Sequence, residues 1–372
     1  MGAEMVRGLG SFGDVVGSLT GSGCVILGGQ TSFQASGAAV AAQTIVEAGG
    51  RLVRVRGPLP TTEEVDRVVA EIGEEPPETL VGVGGGLLID VMKVVGLSLA
   101  TGTSTGEIIA HGADVSGDLP SMVAVPTTAG SGAERTPFAV LYQDGIKHSI
   151  DDSRLLPSRA VLDPTLSRSA PKPVAAAAAL DAMAHCVESI WACRSTLESQ
   201  AVAAEALSRL SANVEAGVVG GDGPSQEELL YASSDAGAAI AITRTTAAHA
   251  LSYHLTSEHQ VAHGHAVALT LGLLASYNEA VDESSVTDPR GVDHVRSAVS
   301  AACQKIGVSD GAELTHRLRE LMESMGLASM VDAAAGHTVD RELWVSAVNA
   351  ERLSNNPRGL GHADLLELVR EA

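Results

Sequence analysis

Aromatic side chains are almost missing from this chain of 372 residues, which has two Trp, four Tyr and three Phe. Its cores therefore have to be filled by Val, Leu, Ala and Ile. Basic residues are scarce as well. Lys and Arg number 24 against 45 Asp and Glu, a net charge of −21, which speaks against non-specific binding to nucleic acid or anionic membrane. An acidic surface names no partner, since it is also a solubility feature. The four cysteines, Cys24, Cys186, Cys193 and Cys303, form no CxxC pair, so no disulfide framework is expected and a reducing compartment fits. There is no unbroken apolar run of about 18 residues and no signal-peptide pattern, so a soluble cytoplasmic protein is expected. The length exceeds one ordinary domain, and two are expected.

In the first 160 or so residues, short apolar runs ending in Gly or Thr ("CVILGG", "RLVRVRG", "TLVGVGGG", "SMVAVPTT") alternate with amphipathic stretches ("FQASGAAVAAQTIVEAGG", "TTEEVDRVVAEIGEE"). That alternation predicts βαβ units on a mostly parallel sheet, with ligands beyond the carboxyl ends of its strands. After the prolines at 157–173 strand-like runs nearly vanish. Helical stretches follow, among them "VAAAAALDAMAHCVESIWA", "TLESQAVAAEALSRLSANVEAGV", "QEELLYASSDAGAAIAI", "HAVALTLGLLASYNEAV", "VDHVRSAVSAACQKIG" and "RELWVSAVNAERL". The expected organisation is an α/β dinucleotide-binding domain over 1–165 and an all-helical metal and substrate domain over 166–372, with no internal repeat.

Two turns at the strand ends are built for close approach. Gly84, Gly85 and Gly86 follow one strand and precede a helix, where backbone N–H groups can meet a pyrophosphate. The spacing is not GxGxxG, and a tight turn without a ligand reads equally well. Thr127, Thr128 and Ser131 lie in a second small-residue turn, "VPTTAGSGAERTPF", and the two together favour a nucleotide site. Farther on, "HALSYHLTSEHQVAHGH" gathers five of the twelve histidines. His249 and His263 are fourteen residues apart, about 21 Å along a straight helix. They can share a metal, with ligand atoms roughly 2.0–2.2 Å from it, only if the chain reverses between them, and "TSEHQVAHG" is polar and irregular enough to do so. Asp181 and His185, spaced i, i+4, would share a helix face. Alone, such a pair is more often a surface ion pair; joined to His249 and His263 it makes a mixed oxygen–nitrogen site suited to Fe(II) or Zn(II).

In order and separation, "GGGLLIDVMK", "PTTAGSGAE", "LDAMAHCVE" and the His–Gly pair at 263 and 264 resemble the group III iron-dependent alcohol dehydrogenases over nearly the whole chain. The resemblance implies the dehydroquinate synthase-like fold of that family, an α/β nucleotide domain followed by a helical metal domain. It implies Asp181, His185, His249 and His263 as metal ligands. Gly84, Gly85, Gly86, Asp90, Lys93, Thr127, Thr128 and Lys147 are the implied cofactor contacts, and Ser131 and Thr136 join that set. The implied chemistry is reduction of an aldehyde to a primary alcohol by NADH or NADPH with Fe(II) or Zn(II).

A narrower likeness, carried by "LYQDGIKHSIDDSRLLPSRAVLDP", "ITRTTAAHALSYHLTSEHQVAHGHAVALTLG", "DPRGVDHV" and "NAERLSNNPRGL", is to the phosphonoacetaldehyde reductase (hydroxyethylphosphonate dehydrogenase) branch. It implies phosphonoacetaldehyde as substrate, in phosphonate biosynthesis. Three positions depart from the family. Leu87 replaces a Ser after the glycines, and Tyr253 stands where many members carry His. Gly29 stands where some NAD-preferring members carry Asp, which removes a barrier to a 2′-phosphate. Tyr253, His254 or the cofactor ribose hydroxyls are the expected proton relay, Arg244 and then Arg135 and His254 are the expected anion contacts, and His259 and His265 are expected in loop or helix-surface roles. A homodimer binding a small aldehyde or alcohol is expected. The alternatives are a dehydrogenase of an uncharged short-chain aldehyde, a lyase on the same fold and a non-catalytic nucleotide-binding relative.

Overall fold

The computed structural model describes residues 3–372 except 20, 58, 74 and 113–118, together with the side chains of the described residues other than 351. It divides into two compact units, Met1–Ala170 and Pro171–Ala372.

Six strands of the first unit form one parallel sheet: β1 (Glu4–Arg7), β2 (Cys24–Gly29), β3 (Arg51–Val55), β4 (Thr79–Gly84), β5 (Ser121–Pro126) and β8 (Arg159–Leu162), in the order β1-β8-β5-β4-β2-β3. Their alternation sorts side chains onto two buried faces. Val25, Leu27, Leu80 and Ala124 pack under the helices Thr62–Ile72 and Gly86–Thr101. On the other face Ile26, Val81, Val83 and Val125 pack under the helices Ser11–Ser18 and Ala38–Glu47. The chain leaves β2 along one face toward β3, and leaves β4 along the opposite face toward β5. Strand order therefore reverses between β2 and β4, the position where open α/β sheets bind ligands. Gly29 and Gly84 end those two strands.

All four apolar runs read as strands are strands here. The stretch at 33–50 is not one helix: Gly37, at φ 78°, separates Ser32–Ala35 from Ala38–Glu47. The helix expected over 61–75 spans Thr62–Ile72, and residue 74 lies outside the described residues. A hairpin of β6 (Phe138–Gln143) and β7 (Ile146–Asp151) stands apart from the sheet. Its turn is Asp144–Gly145, both left-handed, a strong hairpin signal in sequence.

The second unit is helical throughout. Its central helix, Lys172–Trp191, is long and apolar enough by composition to cross a membrane, but 83% of that stretch is buried inside the protein; it is a core helix. Gly272 in the helix His263–Glu279 faces the helix Gly311–Ser324, and a Cβ on it would lie 2.5 Å from Thr315 Cα. Gly272→Ala should force the two helices apart and lower stability by about 2–3 kcal/mol in urea denaturation. A loss well under 1 kcal/mol would mean that this contact does not set their separation.

Candidate metal centre and cofactor cradle

Asp181, His185 and Glu188 follow one another at i, i+4 and i+7 on the helix Lys172–Trp191, spacings that stack side chains on one face. All three are buried. The helix Ala247–His259 carries His249 against them and stops where Gln260 turns left-handed at φ 56°. The next helix begins at His263. This reversal returns His263 to His249, with ring centroids 5.5 Å apart.

The four side chains meet at one oxygen. Asp181 Oδ1 lies 3.4 Å from His249 Nε2, 3.6 Å from His185 Nε2 and 3.9 Å from His263 Nε2. Ligand atoms of Asp181, His185 and His249 all fall within 4.8 Å of one another. Gly264 permits the convergence, since a Cβ there would sit 2.0 Å from Ala177 O and 2.6 Å from Asp181 Cβ. Any side chain after His263 would push its helix off the Asp181 helix.

The residues fit a divalent cation. Asp181 Oδ1 and His249 Nε2 are buried 3.4 Å apart and make no hydrogen bond among the described residues, an arrangement that is costly unless something else satisfies them. A cation facing both atoms would do so, and one carboxylate with imidazoles suits Fe(II) or Zn(II). Burial opposes charge on His249, but Glu188 and Asp181 outweigh it and push its pKa up to about 10. Asp181 is desolvated too, yet the surrounding imidazoles, His185 foremost, hold it well below the usual carboxylate range. To hold a metal, His249 would have to be neutral at Nε2, and the cation would then supply the counter-charge to Asp181 and Glu188.

Glu188 is the residue that the sequence reading passed over, although it closes the quoted "LDAMAHCVE". It is fully buried and its Oε2 contacts His249 Nδ1. Its Oε1 accepts from Thr246 Oγ1 at 2.6 Å and from the Ala248 N–H at 2.9 Å. Trp191 Nε1 donates to the same Thr246 hydroxyl at 3.1 Å. Glu188 therefore fixes the His249 ring with Nδ1 protonated and Nε2 aimed at Asp181. Its place seven residues after Asp181 was the available signal.

In the first unit, the two small-residue turns lie side by side. The Thr127 N–H donates to Gly84 O at 2.9 Å. A Cβ on Gly85 would come within 3.5 Å of Thr128 Oγ1, and one on Gly86 within 2.4 Å of Ser131 Oγ. Leu87 points outward. Lys93 is fully buried, donating to Thr136 Oγ1 at 2.9 Å and Phe138 O at 2.7 Å. Asp90 lies 3.6 Å from that ammonium and accepts from the Val140 N–H at 3.0 Å. Asp90, Lys93 and Thr136 thus tie the Gly86 helix to β6, and Lys147 stands opposite Tyr142 on the hairpin. Arg135 ends a short 3-10 turn.

Of the expected relay residues, Tyr253 lies with its ring parallel to that of His263, centroids 6.1 Å apart. His254 turns toward His259, with 3.4 Å between their Nε2 atoms, and His259 meets His337 at 2.9 Å. His265 is buried, not on a surface, and pairs with Ala328 O at 2.6 Å. Arg244 caps the helix Gly223–Thr243 and bonds back to the carbonyls of Ile240 and Ala241. Its backbone, at φ 61° and ψ −176°, is in a region that side chains avoid at a cost of about 1–3 kcal/mol. Asn355 clamps the turn by donating to Thr243 O and Thr245 O at 2.8 and 3.0 Å.

The sequence pattern of the family described as iron-containing alcohol dehydrogenase matches residues 4–164, and that of the Fe-containing alcohol dehydrogenase family, C-terminal, matches residues 175–372. The chain is 33% identical over 330 residues to a phosphonoacetaldehyde reductase of Streptomyces viridochromogenes, covering 84% of this chain and 80% of that protein. It is 26% identical to a 1,3-propanediol dehydrogenase of Citrobacter freundii, covering 99% and 98%. In fold it is similar to a sulfoacetaldehyde reductase from Bifidobacterium kashiwanohense, with a TM-score of 0.85 at 24% identity over 99% and 96% of the two chains.

Glu188→Gln tests the clamp on His249. With the amide oxygen kept on Thr246 and Ala248, its N–H group faces His249 Nδ1 and moves the imidazole proton to Nε2. Metal affinity, measured by competition with a chelator, should fall about 10- to 100-fold. Unchanged affinity would show that the clamp does not set the ligand's tautomer.

Proposed function

Since the chain belongs to the iron-containing alcohol dehydrogenase family, and so is a metal-dependent, NAD(P)-linked alcohol dehydrogenase or aldehyde reductase, we propose that it reduces phosphonoacetaldehyde to 2-hydroxyethylphosphonate in phosphonate biosynthesis in the cytoplasm. The observation that carries this reading is the similarity to the Streptomyces viridochromogenes reductase, which exceeds that to the propanediol enzyme.

Asp181, His185, His249 and His263 would hold the metal. The turns at Gly84, Gly85 and Gly86 and at Thr127, Thr128 and Ser131 would receive the pyrophosphate, braced by Asp90, Lys93 and Thr136. When bound, the metal supplies Lewis-acid polarisation of the aldehyde oxygen, and the reduced nicotinamide supplies the hydride. The balance is aldehyde, NAD(P)H and one proton giving primary alcohol and NAD(P)⁺. Tyr253 supports the proton transfer better than His254 does, because its ring lies against His263 whereas His254 turns to His259. Its hydroxyl is held at 3.0 Å by Arg352.

NADPH is the proposed donor. Gly29 brings no carboxylate to the end of β2, and Arg54 on β3 donates to Gly29 O at 2.9 Å while its guanidinium lies 4.6 Å over the Phe33 ring. A guanidinium at this strand end can accommodate a 2′-phosphate.

Two measurements test these readings. Anaerobic oxidation of NADPH by the Fe(II)-loaded enzyme should show kcat/KM for phosphonoacetaldehyde at least about tenfold above that for propionaldehyde. Equal values would leave a general aldehyde reductase. Arg54→Gln should raise KM for NADPH by about tenfold and change KM for NADH less. A parallel rise with both cofactors would remove Arg54 from 2′-phosphate recognition.

A further inference from the structure

A substrate with an anion needs a cation that reaches the metal centre and is not already neutralised by a carboxylate. Arg352 is one. It lies in the 3-10 segment Ala350–Asn355, and no carboxylate stands within ion-pair distance of it among the described residues. Among the described residues its one side-chain hydrogen bond runs from Nη1 to the Tyr253 hydroxyl at 3.0 Å. Its Cζ lies 4.9 Å from the Tyr253 ring centroid, and that ring is 6.1 Å from the ring of His263. Together the two separations bound the guanidinium to about 11 Å from the His263 ring. The His263 side chain is itself 36% exposed, whereas Asp181, His185 and His249 are buried.

The segment is held firmly. Asn355 and Asn356 are buried. Asn355 clamps the Arg244 turn and accepts from the Arg194 N–H at 3.1 Å, and Asn356 donates to Asn278 Oδ1 at 2.9 Å and Arg358 O at 2.7 Å. Buried amides with satisfied partners fix a backbone well. Here they present a half-buried guanidinium over the helix that carries His249. Arg244, in contrast, directs its Nη1 to carbonyls of its own helix.

We propose that Arg352 is the anion anchor of the active site, a guanidinium that holds the phosphonate of a substrate whose carbonyl oxygen lies at the Asp181–His263 centre. The inference rests on the phosphonate reading above and gives it a residue. In phosphonoacetaldehyde the phosphorus is bonded to the carbon next to the carbonyl carbon, so a short reach separates the two recognised groups. A planar guanidinium suits a phosphonate because two N–H groups can meet two oxygens.

Ethylphosphonate, which carries the anion without the aldehyde, is the probe. Titrated calorimetrically into the metal-loaded enzyme, it should bind the wild type, bind Arg352→Met about 30- to 100-fold more weakly and bind Arg352→Lys with intermediate strength. In turnover, the ratio of kcat/KM for phosphonoacetaldehyde to that for propionaldehyde should fall by a similar factor in Arg352→Met, mainly through KM. Equal ethylphosphonate affinity in wild type and Arg352→Met, or no binding by the wild type, overturns the anchor. A parallel loss with both aldehydes also overturns it and makes Arg352 a positioning residue for Tyr253. If ethylphosphonate loses affinity in Arg352→Met while the wild type shows no preference for phosphonoacetaldehyde, the anchor stands and only the named substrate falls.

Discussion

The contact between the Glu188 carboxylate and His249 Nδ1 governs the second unit. Without it, His249 could rotate or change tautomer, and Nε2 would no longer be held facing Asp181. With it, one buried carboxylate stands behind the His249 ring while that of Asp181 stands in front. Two carboxylates on one apolar helix are an expensive choice, since each loses its water. The structure offsets that cost with hydrogen bonds from Thr246 and Ala248, and with imidazoles that turn toward the charges. The electrostatics of the centre are thus set by the protein before any ion arrives, and they favour a cation.

The first unit solves a different problem by similar means. Its ligand edge is made of glycines and small hydroxyl residues, which leave room but provide little adhesion. Stability comes from below, where Lys93 and Asp90 are sealed between the Gly86 helix and β6. A fully buried ammonium is tolerable because Thr136, Phe138 and Asp90 satisfy it together.

Much of this was legible in the sequence, for physical reasons that differ from place to place. Strands β2, β4 and β5 declare themselves because both faces of an interior parallel strand are buried, which produces continuous apolar runs, while the edge strand β3 shows alternation instead. β1 and β8 are only four residues long, too short for a pattern, and β8 hides in the proline-bounded stretch read as a boundary. The reversal that joins His249 to His263 was inferable, since a straight helix would hold them too far apart. Glu188 was not inferred because spacing alone cannot tell a buried carboxylate from a solvated one. Arg352 was hidden for another reason: about one hundred residues separate it from Tyr253, and only the folded chain brings them together.

Gly264 ties the helices that carry Asp181 and His263 together through main-chain contact, with Ala177 O and Asp181 packed where a side chain would be. The spacing between Asp181 and His263 is therefore a property of the backbone, and the ion does not create it. A divalent ion held there would meet a spacing already set by main-chain packing, and its identity would turn on geometry and availability more than on any adjustment by the chain.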